Sequence, residues 1–186
     1  MIPGALGAIV RHALWPPRRP PSSPDTARFY PAPDMIASAW VFFVLALFES
    51  AVLHALGLML GHSRVLLVLA VLSDAMLVCA IAILRSLGRL PTTIAGDRVT
   101  VRVGLLFALD FPAAAVDPAG QVGGDARVLN GALLASPNLV LVFRAPVRAT
   151  VLGLRRLAVD GIRLKLDRPD EFLARLAAAS DNPGAG

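Results

Sequence analysis

The hydrophobic pattern changes character twice along the chain. From Ile36 to Leu60 it is almost continuously apolar, and after the link "GHSR" a second apolar run extends from Val65 to Leu84. The first run has 25 residues and the second 20, so at about 1.5 Å per helical residue each can cross a hydrocarbon layer of roughly 30 Å. A link this short forces two such helices to lie antiparallel and in contact. Beyond about Leu90 the pattern alternates instead. In "TTIAGDRVTVRVG" a turn at Gly96-Asp97 separates two strands, with Val99, Val101 and Val103 on one face and Arg98, Thr100 and Arg102 on the other.

Further strands are predicted in "LFALDFPA", "ARVLNGALL", "NLVLVFRAP" and "VRATVLGLRRLAV". The last is "GIRLKLD", with Ile162, Leu164 and Leu166 inward; the Gly- and Pro-containing "VDPAGQVGGD" reads as a loop. In "DRPDEFLARLAAAS" the period becomes helical. Asp167 is a candidate cap, Pro169, Asp170 and Glu171 suit a first turn, and Phe172, Leu173 and Leu176 form a stripe. The fold class expected is a membrane α-helical hairpin followed by a small α+β domain. That domain is an antiparallel barrel or sandwich of about seven strands with a C-terminal helix.

Four segments follow from this reading. Residues 1–34 form a disordered Pro/Arg-rich extension, since "PPRRPPSSPDTARFYPAP" cannot bury a core. Met35 stands directly before the first apolar run, so the extension is expected to be dispensable, as upstream sequence read through from a misplaced start would be. Residues 35–86 form the hairpin, 90–180 a cytoplasmic domain able to fold alone, and 181–186 a frayed tail.

Composition sharpens the membrane reading. The chain is 56% hydrophobic and 17% charged, against about 25% charged in soluble domains, and the deficit lies between Ile36 and Leu84. Formal charge is +5, and every basic residue except Lys165 is arginine. Arg85, Arg89, Arg98 and Arg102 follow the second run, whereas the link carries only Arg64. The positive-inside rule therefore predicts a multi-pass protein of the cytoplasmic membrane with both termini cytoplasmic. Trp40 suits an interfacial anchor, and Arg85 and Arg89 suit contact with anionic phospholipid headgroups.

The apolar runs carry three residues that cost free energy in a bilayer: Glu49, His54 and Asp74. With the hairpin folded between His62 and Ser63, Glu49 lies level with Met76, and Asp74 with Ala51. Two ionised carboxylates at that depth are very unfavourable, so at least one is expected to carry a proton. His54, about one turn nearer the link, reaches Asp74 if the helix rotations agree. Glu49 and His54 are about 140° apart on an ideal helix and are poorly placed to share a metal. The structural reading is a polar network that sets register or joins protomers. The functional reading is a proton relay, ion site or ligand site. Ala46, Ser50, Gly57 and Gly61 fall on roughly one face at small-xxx-small spacing, which favours close packing against the second helix or another copy.

The order "RVTVRVGLL…LDFPAAAV", "NLVLVF" and "GIRLKLDRPDEFLARL", with Asp167, Pro169 and Phe172 in a D-x-P-x-x-F arrangement, resembles bacterial PH-like domains attached to membrane helices. The likeness spans roughly residues 92–179. A helical hairpin ahead of such a domain also resembles uncharacterised bacterial membrane proteins of that class. The resemblance implies a PH-like fold and a protein-interaction or assembly role, and no enzyme chemistry at particular residues. A phosphoinositide pocket is disfavoured, because the turn at Ala95-Gly96-Asp97 is short and acidic.

No catalytic, metal or cofactor constellation emerges. There is no phosphate loop, Cys79 is the sole cysteine, and the histidines are His12, His54 and His62, none of them in the cytoplasmic domain. Nucleic-acid binding needs a basic stripe interleaved with aromatics, and Phe107, Phe111, Phe143 and Phe172 fit core positions instead. Arg155, Arg156, Arg163 and Lys165 read as a solvated strand face in preference to an anion site. The expected partners are the lipid bilayer and an unidentified membrane or cytoplasmic protein, with homo-oligomerisation open. The alternative function is an intramembrane proton- or metal-dependent component using Glu49, His54 and Asp74.

Overall fold

Two long helices leave a sheet domain and return to it. The computed structural model describes residues 26–60, 64–118, 120, 121, 123, 126–153 and 155–181. Strand β1 (Thr26–Phe29) comes first, followed by α1 (Pro33–Met59) and α2 (Arg64–Leu87). Then come β2 (Thr92–Ala95), β3 (Arg98–Val103), β4 (Phe107–Pro112), β5 (Val116–Asp117), β6 (Val128–Asn130), β7 (Leu139–Val151), β8 (Arg155–Leu164) and α3 (Pro169–Asp181).

The sheet has eight strands in the order β1-β2-β3-β4-β7-β8-β6, with β5 paired to β7. The β2–β3 hairpin forms where the alternation placed it, pairing Ile94 with Val99 and Ala95 with Arg98, and Gly96 supplies the positive φ of 57° its turn requires. Val99, Val101, Val103, Ile162, Leu164 and Leu166 are all buried, as their period-two spacing predicts.

Elsewhere tertiary packing alters the expectation. "NLVLVFRAP" and "VRATV" form one long strand, β7, that bends at a register shift between Val142 and Val147. Pro146 lies within the shift, where no ladder hydrogen bond needs its missing N–H. Opposite, Gly161 approaches the bent strand so closely that a Cβ there would lie 2.7 Å from the Leu141 carbonyl oxygen. The sheet is mixed, not purely antiparallel. β6 crosses to the far side of β8 and runs parallel to it, pairing Leu129 with Ile162.

Residues 26–34, expected as part of a disordered and dispensable extension, belong to the domain; residues 1–25 lie outside the described residues. β1 pairs with β2 along its whole length, and Phe29 is 1% exposed, packed edge-on against Phe172 at 5.1 Å. Pro31 bridges Leu166, Ala32 donates to the Lys165 carbonyl, and Asp34 pairs with Lys165. The core thus runs from Phe29 and Met35, through Leu84 and Leu87 at the end of α2, to Phe172 and Leu176 of α3. Residues 90–180 do not supply it alone. Sequence-local reasoning misses this because the partners of Phe29 lie more than sixty and more than a hundred positions away.

The C-terminal helix differs in two details. Leu173 is exposed, leaving Phe172 and Leu176 as the packed pair. Asp167 does not cap the helix; its carboxylate accepts the Tyr30 N–H and so fastens the segment after β1. The tail beyond Asp181 lies outside the described residues.

Candidate functional site

Helices α1 and α2 pack along a seam with alternating steps of three and four residues. Ala46, Ser50, Leu53 and Gly57 are shielded on α1, and Leu66, Ala70, Ser73 and Leu77 on α2. That spacing keeps one stripe facing its partner in a left-handed antiparallel pair. Apart from Glu49, His54 and Asp74, the remaining circumference is largely apolar and exposed, including Val41, Phe42, Phe48, Leu58, Val65, Val68 and Met76.

At mid-seam, Ser50 is 3% exposed and its Oγ donates to Asp74 Oδ1 at 2.8 Å. One turn along α1, His54 Nε2 lies 3.4 Å from Asp74 Oδ2, and its Nδ1 lies 2.9 Å from the Ser50 carbonyl oxygen. A carbonyl can only accept, so Nδ1 carries hydrogen. The remaining contact, His54 Nε2 with Asp74 Oδ2, is within hydrogen-bonding distance. The arrangement can hold a proton between Nε2 and Oδ2 while the outer sides of both residues, about half exposed, stay open.

Glu49 does not join this pair. It lies on the opposite side of the seam, as its angular offset from His54 requires, and makes no hydrogen bond or ion pair among the described residues. It borders a groove of about 300 Å³ that also contains Ala46, Ser73, Met76 and Ala80. The third member of the network is Ser50, which sequence spacing assigns only to the small-residue stripe. A signal for it exists, since Ser50 and His54 are four apart and Asp74 falls level with Ala51.

The small-residue face is only partly used. Ser50 and Ala46 lie in the seam, but a Cβ on Gly57 would meet nothing within 4 Å, so no close approach demands glycine there. Gly61 lies outside the described residues. Trp40 is 41% exposed and packs edge-on against Phe43. Arg85 is exposed in the last turn of α2, and Arg89 is half-buried just beyond it.

The hairpin is coupled to the sheet through Ser86. Its hydroxyl donates to the Ile83 carbonyl and accepts the Leu105 N–H at 2.9 Å. Gly104 passes so close, with φ of 52°, that an added Cβ would collide with this hydroxyl. Among the described residues no group of three His, Cys, Asp or Glu side chains converges as a metal site would. Compared with family models, with curated proteins and with solved structures, the chain matches none.

Proposed function

We propose that the chain is an integral membrane protein whose helical hairpin anchors a PH-like interaction or assembly module at the cytoplasmic face. The observation that carries this reading is the exposure of α1 and α2. They have 27 and 24 residues, and only 6% and 11% of their most apolar stretches is buried. A core helix of a soluble protein covers its apolar surface, whereas a helix in lipid has no need to. Both bases of the hairpin are held by the sheet domain, which supports placing the two ends on one membrane face. The arginine asymmetry between Arg64 and the cluster Arg85, Arg89, Arg98 and Arg102 supports the cytoplasmic face. For the module, support comes from a mixed eight-stranded sheet with an irregularity in β7 and a C-terminal helix whose Phe172 is fully buried.

Extraction at alkaline pH tests the anchor: the protein should stay with the membrane pellet, and release into the supernatant would overturn the reading. A second reading is favoured by one observation, the contact of Asp74 with both Ser50 and His54. Under it the hairpin carries a proton-dependent function. The double variant Glu49→Gln, Asp74→Asn separates the two. It should leave cellular activity intact if the groups only fix register, and abolish activity at normal membrane level if titration matters.

A further inference from the structure

The end of the sheet nearest the hairpin combines three features. The β3–β4 turn is fixed to the end of α2 by the Leu105 N–H to Ser86 bond, one residue beyond Arg85. The β7–β8 turn lies directly beside it, since Leu152 donates its N–H to the Leu106 carbonyl at 2.8 Å and Phe107 pairs with Val151. Both turns therefore sit level with the place where α2 would leave the bilayer.

At that rim Leu152 is 44% exposed and adopts a φ of 51°. A bulky residue is disfavoured in this conformation, and Gly or Asn ordinarily fills it. Leu133 shares the conformation, but it packs on the core, whereas Leu152 does not. Around Leu152 the rim is basic. Arg102 and Arg156 are exposed in one cross-strand row, flanking Ala108 and Thr150, and Arg155 follows the turn on the other face. None of these three arginine side chains makes an ion pair or hydrogen bond among the described residues. An apolar tip flanked by unpaired cations suits one surface, the boundary of an anionic lipid leaflet.

We propose that the β7–β8 turn is a second membrane contact, in which Leu152 enters the leaflet that α2 leaves while Arg102, Arg155 and Arg156 lie on anionic headgroups. This rests on the anchor reading above and deepens it. The sheet domain would then be held at a fixed tilt, with the β2–β3 turn, at the opposite end of β3 from Arg102, directed away from lipid.

The test uses the full chain carrying Cys79→Ala, with a single fluorophore introduced by Leu152→Cys, Leu45→Cys or Ala95→Cys, the last at the exposed β2–β3 turn. Each protein is reconstituted in nanodiscs of phosphatidylcholine, with or without phosphatidylglycerol, containing acyl-chain nitroxide lipid. Quenching is expected at 45 and 152 and not at 95, where the label sits at the end of β3 remote from the Ser86 joint. Phosphatidylglycerol should strengthen the signal at 152, and Arg102→Gln or Arg156→Gln should each reduce the lipid-contacting population about fivefold. Quenching at 45 with none at 152 overturns the proposal and leaves the anchor standing. Equal quenching at 95 and 152, or indifference to phosphatidylglycerol, also overturns it. Absence of quenching at 45 would remove the anchor itself.

Discussion

Truncating Phe29 tests whether the chain ahead of the hairpin belongs to the domain behind it. The ring is 1% exposed and meets Phe172 at 5.1 Å with an interplanar angle of 85°, an edge-to-face pair. Burying roughly 200 Å² of aromatic surface at about 25 cal/mol per Å² contributes about 5 kcal/mol. Compactness of the unfolded chain trims this figure. Measured aromatic-to-alanine changes in cores cost about 3–5 kcal/mol, a large share of the ~5–15 kcal/mol that holds a domain together. Phe29→Ala and Phe172→Ala are each expected in that range. Because the rings touch, the double variant should cost less than the sum by about 0.5–1.5 kcal/mol. Arg175→Ala, on the exposed side of α3, should stay within about 0.5 kcal/mol of the parent. Pulse proteolysis of the full chain in detergent across a urea series measures all four. A Phe29→Ala protein as stable as Arg175→Ala would refute the reasoning and make β1 dispensable after all.

Further tests address the anchor, the joint and the polar pair. A reporter fused after Gly186 should be active only in its cytoplasmic form, and one inserted at 61–64 only in its external form; swapped signals would reverse the orientation. A fragment spanning 90–186 lacks Phe29, Met35, Leu84 and Leu87 of the core and should show no cooperative unfolding by circular dichroism, whereas a sharp transition would show that the strands close without them. Ser86→Ala leaves the Leu105 N–H without its acceptor and should cost about 1–3 kcal/mol, read by the same proteolysis. Asp74→Ala removes partners of both Ser50 and His54 and should weaken helix pairing by about 0.6–2 kcal/mol, measured as the yield of a cysteine cross-link between α1 and α2; an unchanged yield would remove any structural role for the contact.

Several elements are legible in the amino-acid sequence by itself. Continuous apolar runs define α1 and α2, because a lipid-compatible helix needs no partner to reveal its pattern. The valines of β3 and the inward residues of β8 follow from strict alternation, and Pro169, Asp170 and Glu171 mark the start of α3 by local chemistry. The level of Asp74 with Ala51 follows from counting residues back from a short link. In each case the information lies within one segment or one tight connection.

Only the tertiary structure decided the rest. It placed Ser50 rather than Glu49 beside Asp74, because helix rotation about the seam depends on packing along both helices and not on depth alone. It recast three predicted strands as β7 and β8, since the irregularity between Val142 and Val147 is accommodated where Gly161 lets the opposite strand approach. It drew Thr26–Phe29 out of an apparently structureless Pro/Arg-rich segment. Four residues with a single large apolar side chain carry too little local pattern to declare a strand. What makes them one is the edge of β2 and the ring of Phe172, both supplied by chain far away in sequence.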